Sequence, residues 1–334
     1  MAAASVKDVA ALARVSVGTV SNVLNRSTTV SPDTAKRVLD AIDQLGFIRN
    51  DAARQLRVGR SSTIGMMVLD VSNPFFTDVG RGVEHALVGT RRTLMMANTG
   101  NDPALEQSYL DAFEEQRVSG LLITPVGPVV GRLDRLRARG IAVVLVDRHA
   151  DAEGFSSVSV DDVQGGRLAA RHLLETGRER LAFLGGPVDL PQVRHRLQGA
   201  REEAARRGTA PIEVVELRAM DVDSGRAGAE RLLGRRAAER PDAIFAANDL
   251  IALGVLQALV RARLRVPDDV ALIGYDDVFF AANAAIPLTS IRQPAHEMGE
   301  TAARLLLTEI AGEGSAPEHI VFQPTLVVRE STVS

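Results

Sequence analysis

The chain has 334 residues, 46% of them hydrophobic, with 39 basic against 42 acidic side chains. This length exceeds what one small core accommodates, so two or three domains are expected. Cysteine is absent, which excludes disulfides and thiolate metal sites and fits the reducing cytoplasm. No apolar run reaches 18 residues and no apolar signal segment follows Met1, so we expect neither membrane insertion nor export.

The net charge of −3 is unevenly distributed along the chain. Residues 1–62 hold nine Lys or Arg, five Asp and no Glu, a net charge of +4 that leaves −7 for the remainder. A basic first segment on an acidic body directs binding of a polyanion to one end of the chain.

Within residues 1–62, two short helices are predicted from residues that cap helix N-termini. Ser5 and Asp8 have the spacing of a capping box, so a helix is predicted to follow Ser5. After the break at Arg14-Val15, Ser16 can cap a second helix that runs from position 17 to about position 25.

A third helix is predicted from Ser31-Pro32-Asp33, where a cap precedes a proline at the first helical position and an acid in the first turn. Gly46 suits the left-handed residue that ends it. The positions of the three helices predicted to face a common core are Val6, Val9, Ala10, Ala13, Val20, Val23, Leu24, Val38, Leu39, Ile42 and Leu45.

Two short helices joined by a tight turn, with a third packed across them, form the helix-turn-helix arrangement. The outward face of the second helix carries Val17, Gly18, Ser21 and Asn22, which are small or polar. Such a face suits a DNA groove better than a charged, solvated surface does; a generic three-helix bundle is the alternative.

From Thr63 onward the pattern changes to apolar runs of four to seven residues that alternate with helical stretches. Examples are IGMMVL, TLMMAN, GLLITP, IAVVLVD, LAFLGG, AIFAAND and VALIGYD. Fully apolar strands alternating with helices predict parallel sheets covered on both faces, which bind ligands at the carboxyl ends of their strands. The polar residues at those ends are Asn73, Asp147, Arg148, Asn248, Asp249, Tyr275 and Asp276.

Blocks along the whole chain resemble the lactose/galactose repressor (LacI/GalR) family of bacterial transcription regulators. They include VKDVAALARVSVGTVSNVLN at 6–25, NDAARQLRV at 50–58, NPFF at 73–76, AANDLIALG at 246–254 and VPDDVALIGYDD at 266–277. The resemblance implies a helix-turn-helix DNA-binding domain at 1–50, a hinge helix and linker at 51–62, and an effector-binding and dimerisation domain at 63–334.

That third domain is expected to be an α/β, two-lobed, periplasmic-binding-protein-like body of parallel sheets flanked by helices. Its N-lobe would span about 63–162 and 293–322, and its C-lobe about 163–290 and 323–334. The segments near 288–293 and 320–328 resemble the family's returning connections, which make each lobe discontinuous in sequence.

The resemblance also implies which residues contact DNA. In the helix-turn-helix and the residues after it these are Ser16, Val17, Gly18, Thr19, Ser21, Asn22, Asn25, Arg26 and Thr28, and in the hinge Ala53, Arg54, Leu56 and Arg57. In the family the hinge folds on DNA, where Leu56 would occupy the position of a minor-groove wedge. A charged, flexible linker is the alternative for this segment.

For a small-molecule effector, the family's contact positions correspond to Asp147, Arg196, Asn248 and Asp276, which can bind the hydroxyls of a neutral polyol. The remaining expected contacts are Phe75, Phe76, Arg148, Asp161, Gln192 and Asp249. Asp161 and Asp276 could instead cap helices or turns, and Arg148 could bridge the lobes. Leu190 and Met220 stand where purine-responsive members place an arginine and an aromatic ring, which favours a sugar or sugar phosphate.

Other protein classes lack their signals in this sequence. No dinucleotide, Walker or nucleophile-elbow motif is present, and no two histidines stand four residues apart, so no catalysis, cofactor or metal is expected. A solute-binding protein would share the body but not the first segment. We expect a cytoplasmic, homodimeric repressor of carbohydrate-utilisation genes on a pseudo-palindromic operator, with a nucleoside or purine as the alternative effector.

Overall fold

The computed structural model describes residues 4–25, 30–47, 61–148, 154–314 and 316–333. The chain divides into two compact units, Met1–Ser61 and Ser62–Ser334. Several predicted DNA contacts lie outside the described residues and stay predictions, namely Arg26, Thr28, Ala53, Arg54, Leu56 and Arg57, together with the hinge helix; the side chain of Asn25 is likewise outside.

The described part of the first unit contains three helices, α1 (Val6–Ala13), α2 (Val17–Asn25) and α3 (Pro32–Leu45). The capping box forms as expected, with the Ser5 amide donating to Asp8 Oδ2 at 2.8 Å and the Asp8 amide donating to Ser5 Oγ at 3.4 Å. The Thr19 amide donates to Ser16 Oγ at 3.0 Å, which starts α2. The buried core of the unit consists of Val9, Ala10, Ala13, Val20, Val23, Val38, Ala41 and Phe47.

Two details of α3 differ from the sequence-based expectation. Ser31 makes no side-chain bond to the helix backbone and donates its hydroxyl instead to Thr34 Oγ1 at 3.0 Å. Leu39 was expected in the core, yet it is 52% exposed. Val38 and Ala41 define the buried face of α3, and Leu39 lies about 100° around the axis from Val38, which turns it toward solvent.

The second unit alternates strands and helices throughout. Its first half contains β1 (Thr63–Val68), α4 (Pro74–Leu87), β2 (Thr93–Asn98), α5 (Pro103–Glu115), β3 (Gly120–Ile123), α6 (Val130–Ala138), β4 (Ala142–Val146), β5 (Ser156–Val160), α7 (Asp162–Glu175), β6 (Leu181–Gly185) and α8 (Pro191–Arg206). Its second half contains β7 (Glu213–Glu216), α9 (Val222–Leu233), a short 3₁₀ turn (Ala237–Glu239), β8 (Ala243–Ala246), α10 (Asp249–Arg261), β9 (Ala271–Asp276), β10 (Thr289–Arg292), α11 (Ala295–Ala311), β11 (His319–Phe322) and β12 (Thr325–Val327).

These strands form two six-stranded sheets, one in each lobe. The first has the order β11-β5-β4-β3-β1-β2 and the second β12-β10-β9-β8-β6-β7. Every pairing is parallel except that of β10 with β12. Strands such as β3, β6 and β8 are buried along their whole length because helices cover both faces of the sheet. The chain crosses between the sheets after β5, after β10 and after β11, so each lobe is discontinuous in sequence.

Close backbone contact fixes α7 against α8 in the second lobe. A Cβ on Gly166 would stand 1.9 Å from the carbonyl oxygen of Arg196, and one on Gly199 would stand 1.8 Å from that of Val163. Only hydrogen fits at these two positions, so the helices touch backbone to backbone. This contact sets the position of Arg196, which α8 carries into the space between the lobes.

Candidate effector site and nucleic-acid interface

A cavity of about 250 Å³ lies between the two lobes of the second unit, at the carboxyl ends of β1 and β4 on one side and β6, β8 and β9 on the other. This is where ligands bind in parallel α/β sheets. Its described lining consists of Leu69, Asp70, Asn73, Phe75, Phe76, Gly100, Asn101, Asp147, Leu190, Gln192, Val193, Arg196, Ala219, Met220, Asp221, Asn248, Asp276 and Gln293.

Arg196 is the cation of this lining, and it is only 3% exposed. Its Nε donates to Asp162 Oδ1 at 2.8 Å and its Nη1 donates to the carbonyl oxygen of Ala247 at 2.7 Å. The guanidinium carbon lies 3.7 Å from the centre of the Tyr275 ring. Burial opposes its charge, but the neighbouring carboxylates, Asp162 first, outweigh burial and raise the pKa of Arg196 above its usual value. A planar, charged donor is thereby held rigidly at the cavity wall.

Asp276 ends β9 and receives hydrogen bonds from Asn73 in the first lobe and from Gln293 in the crossover that follows β10. Asn73 Nδ2 donates to its Oδ2 at 2.9 Å, and Gln293 Nε2 donates to its Oδ1 at 2.7 Å. Arg196 Nη1 lies 3.8 Å from the same Oδ1. Burial raises the pKa of Asp276 from its ordinary value, although Arg196 opposes the shift. Its φ of 104° lies in a region that non-glycine residues rarely adopt, which is typical of residues held by a functional site.

Asp147, directly after β4, is the second buried acid of the cavity. Gln192 Nε2 donates to its carbonyl oxygen at 2.8 Å and to its Oδ2 at 2.9 Å. Burial, with a further contribution from the nearby Asp162, raises the pKa of the Asp147 carboxyl to about 8. Asp147 also has a positive φ, 54°.

Two asparagines serve the cavity from the N-termini of helices. The side-chain oxygen of Asn73 accepts from the Phe75 amide at 3.1 Å, and that of Asn248 accepts from the Ile251 amide at 2.9 Å, so each caps its helix. Capping engages the side-chain oxygen of each asparagine, so its amide nitrogen is left to donate to another group, that of Asn73 to Asp276. Asn248 Nδ2 donates to the carbonyl oxygen of Met220 at 3.0 Å.

Phe75 and Phe76 form the aromatic part of the described lining. Both are buried, and their rings meet edge to face with centroids 5.0 Å apart. Leu190 and Met220, which stand where a purine clamp would be expected, also line the cavity and contribute aliphatic side chains from the second lobe.

The structure thus brings seven of the ten expected effector contacts to one cavity and places three elsewhere. Arg148 lines a smaller cavity of about 30 Å³ on the far side of Asp147. Asp161 accepts from the Gln164 amide at 2.8 Å and caps α7, the alternative already foreseen for it. Asp249 lies behind the cavity, where it accepts from Ser290 Oγ at 2.7 Å and from the Val278 amide at 2.9 Å, and its pKa is raised well above the usual value by burial.

Other lining residues were not among the expected contacts, above all Asn101 and Gln293. Asn101 Oδ1 and Gln293 Oε1 are buried without a hydrogen-bond partner among the described residues. Gln293 immediately follows β10, so it is a polar residue at the carboxyl end of a strand. The criterion that selected the other candidates would have selected it too, had residues 289–292 been predicted as a strand. Asn101 lies in the turn after β2, where no sequence pattern marks it.

The candidate nucleic-acid interface is the outer face of α2 in the first unit. Val17, Gly18 and Asn22 are exposed, whereas Thr19 and Ser21 are half-buried. Ser16 Oγ lies 2.9 Å from Thr19 Oγ1, so these two hydroxyls bond to each other at the start of the helix. The short polar face is compatible with entry into a major groove. In the described part of the chain no helix is long and apolar enough to span a bilayer.

Two family profiles match the chain in agreement with this division. The profile for bacterial regulatory proteins of the LacI family matches residues 5–50, and a periplasmic binding protein-like domain matches residues 170–332.

Curated relatives match nearly end to end. The chain is 38% identical to the HTH-type transcriptional regulator CelR of Thermobifida fusca, over 97% of this chain and 96% of the relative. It is 34% identical to the ribose operon repressor of Escherichia coli strain K12, over 98% and 99% of the two chains. It is 32% identical to the HTH-type transcriptional repressor PurR of Photobacterium profundum, over 98% of each.

Solved structures agree with this. The fold matches that of the Lac repressor dimer bound to operator and the anti-inducer ONPF with a TM-score of 0.85, at 26% identity and full coverage of both chains. It matches a CelR–cellobiose complex with a TM-score of 0.72, at 34% identity over 98% and 99% of the chains. Taken with the helix-turn-helix unit and the two-lobed body, these matches establish that the chain belongs to the LacI family of bacterial regulatory proteins and is a DNA-binding transcription regulator.

Proposed function

We propose that this regulator is a repressor whose binding to operator DNA is switched by a neutral carbohydrate held in the cavity between the lobes. The observation that carries the effector class is the chemistry of the described lining, a guanidinium and five side-chain amides set among buried acceptor oxygens. The proposal has a DNA half and an effector half, which are supported separately.

For DNA, the support is the exposed face of α2 together with the basic charge of residues 1–62. The Lac repressor structure, which aligns over the whole chain, contains a dimer on an operator. By analogy this chain would act as a homodimer that presents two copies of α2 to a pseudo-palindromic site. The relatives named above are regulators, which favours a regulator over an enzyme, acting in the cytoplasm, where bacterial DNA is bound.

For the effector, the support is that the cavity offers more acceptors than donors. Asp147 and Asp276 contribute buried carboxyl groups, and the Asn101 and Gln293 side-chain oxygens find no donor among the described residues. A buried acceptor without a donor costs about 1–3 kcal/mol, so a ligand rich in hydroxyl donors is favoured. Phe75 and Phe76 offer an apolar surface for the CH face of a sugar ring. Among relatives, CelR has been solved with cellobiose.

The charge of the cavity separates a neutral sugar from a sugar phosphate. Its described lining carries four carboxyl groups, Asp70, Asp147, Asp221 and Asp276, against the single arginine Arg196. Even with Asp147 protonated at neutral pH, three carboxyl groups remain against one cation. Arg196 already bonds to the carboxylate of Asp162, so it is poorly placed to neutralise a phosphate. A dianionic phosphate would meet uncompensated like charge in a buried site, which is unfavourable. We therefore favour an uncharged sugar over the phosphorylated form.

A purine effector is the competing possibility, because PurR proteins are among the relatives. Leu190 and Met220 supply neither a cation nor a ring, so Phe75 and Phe76 are the rings that the described lining offers for stacking a flat base. A thermal-shift panel of neutral mono- and disaccharides, their phosphates, and purines tests the assignment. A ligand present at 100 times its Kd stabilises the folded state by about 2.7 kcal/mol.

The expected result is stabilisation by at least one neutral sugar and none by its phosphate. The Asp276→Asn variant, run beside the parent, shows whether stabilisation depends on this cavity. Stabilisation by a purine alone would overturn the effector assignment and leave the DNA half intact.

A further inference from the structure

A cluster of metal-ligating side chains lies on the surface of the first lobe, outside the lining of the effector cavity. His85 in the last turn of α4 meets His296 and Glu300 in the first two turns of α11. His85 Nδ1 contacts Glu300 Oε1, and His296 Nε2 lies 3.4 Å from the same oxygen. The two imidazole rings are 5.6 Å apart between centroids and inclined by 32°.

The packing of the two helices holds this cluster together. A Cβ on Gly82 would stand 2.0 Å from the carbonyl oxygen of His296, and one on Gly299 would stand 2.0 Å from that of Val79. The backbones of α4 and α11 therefore touch at the level of the cluster. His296 and Glu300 are four residues apart on α11, which puts both on one face of that helix, opposite His85.

We propose that His85, His296 and Glu300 bind one zinc ion between α4 and α11. Their donor atoms all lie within 4.8 Å of one another. A zinc ion holds nitrogen and oxygen ligands about 2 Å away, so small side-chain rotations bring all three into its coordination sphere. Two imidazoles and a carboxylate are the donors that zinc accepts, whereas magnesium and calcium prefer oxygen alone.

Exposure leaves the coordination incomplete on the solvent side. The side chains of His85, His296 and Glu300 are 66%, 49% and 31% exposed, so water can supply the fourth ligand.

A zinc ion here would also link two helices, α4 and α11, that adjoin the effector cavity. Asn73 caps the N-terminus of α4, and Gln293 precedes α11, and both donate to Asp276. The zinc site does not depend on the proposed effector class.

The test uses the full-length chain, without a histidine tag and treated with a chelator, titrated with zinc chloride by isothermal calorimetry. Removing a group that hydrogen-bonds to a metal ligand commonly costs 10- to 100-fold in metal affinity, so loss of the ligand itself costs at least as much. We expect His85→Gln and His296→Gln each to weaken zinc binding by about tenfold or more. His319→Gln is the matched control, since His319 is an exposed histidine on β11 that bonds to Ser157 and lies outside the cluster.

A spectroscopic readout complements the calorimetry. Cobalt(II) in place of zinc gives visible d–d absorption whose intensity reports low-coordinate, tetrahedral-like geometry, and this band should disappear in His85→Gln but persist in His319→Gln. Magnesium chloride should give no heat of binding at the site. The proposal is overturned if the parent binds no zinc, or if the parent, His85→Gln and His296→Gln bind zinc with equal affinity while remaining folded by circular dichroism.

Discussion

At the scale of a single residue, burial changes the protonation of the Asp147 carboxyl. Its carboxyl is enclosed between the lobes, and burial raises its pKa to about 8, well above the usual value near 3.9. Between about pH 4 and pH 8 the folded chain therefore retains a proton that the unfolded chain has lost. The free energy of unfolding then falls as pH rises through this window.

Replacing Asp147 by asparagine removes that titration. We expect the parent to lose more stability between pH 6 and pH 9 than Asp147→Asn does, because the variant has no carboxyl to deprotonate at this position. Urea denaturation at the two pH values measures the difference. Asp134→Asn, the same change at a half-exposed site on α6, should show the same pH dependence of stability as the parent. Identical pH dependence in all three proteins would show that the pKa of Asp147 is not raised.

Asp276 is the residue on which effector binding should depend most. Asp276→Asn keeps the shape of the side chain but replaces one acceptor oxygen by a donor amide opposite Asn73 and Gln293. We expect it to weaken effector binding by about 2 kcal/mol or more, since a buried partner is lost, while DNA binding without effector persists. Calorimetry with the stabilising sugar gives the answer, and unchanged sugar affinity would remove Asp276 from the site.

Asn22 is the polar reader expected on the exposed face of α2. Asn22→Ala should relax preference at one base pair of each half-site, at a cost of about 1–3 kcal/mol for the preferred base. Arg26→Ala, a phosphate contact expected from sequence alone, should instead weaken binding to all sequences and flatten its salt dependence. Selection from a randomised duplex library separates these effects; an unchanged selected motif with Asn22→Ala would mean that α2 is not the reading helix.

The sequence predicts some residues of the cavity and not others, and the difference has physical reasons. Strand-end positions and the family resemblance pointed to Asp147, Arg196, Asn248 and Asp276, which the structure brings to one cavity. Asp249 follows Asn248 directly but sits about 100° further around α10, so it faces Ser290 behind the cavity. Which residue of a neighbouring pair faces the cavity depends on the start of the helix, which the sequence defines only within a residue or two.

At the scale of elements, glycines decide how closely helices approach. Gly166 lies within DDVQGG at 161–166, and its close contact with the backbone of Arg196 is what brings α7 onto α8. The strands, by contrast, follow from composition, because continuous apolar runs are what a sheet covered on both faces requires. Helix-to-helix contact across the fold leaves no such periodic signal.

Gly166→Ala tests this contact. An added methyl group would meet the Arg196 carbonyl oxygen at 1.9 Å, so the helices must separate, and we expect a loss of about 1–3 kcal/mol in stability. Weaker effector binding should accompany it, because Arg196 moves with α8. Gly131→Ala on α6, where nothing lies within 4 Å of the added Cβ, is the control and should be neutral or stabilise by about 0.5–1 kcal/mol. Equal stability of the two variants would refute tight packing at Gly166.

At the scale of the molecule, DNA binding is expected in the first unit and effector binding in the second. The first carries a basic charge and an exposed polar helix face, and the second encloses an acidic cavity. In the sequence the pattern changes from helical spacing to alternating apolar runs near Thr63, and the structure divides between Ser61 and Ser62. The effect of effector binding on operator binding is a coupling free energy between the two sites, which cannot be obtained from either unit alone.

The coupling is therefore the property to measure. The most direct measurement is fluorescence anisotropy of the full-length chain titrated onto a duplex selected from a random library, with and without a saturating concentration of the stabilising neutral sugar. We expect specific binding without sugar and a change in the operator Kd of about 5- to 150-fold on adding it, the usual range of allosteric coupling. An operator Kd that stays the same with the sugar bound, or no specific duplex selected at all, would contradict the assignment of this chain as a carbohydrate-switched repressor.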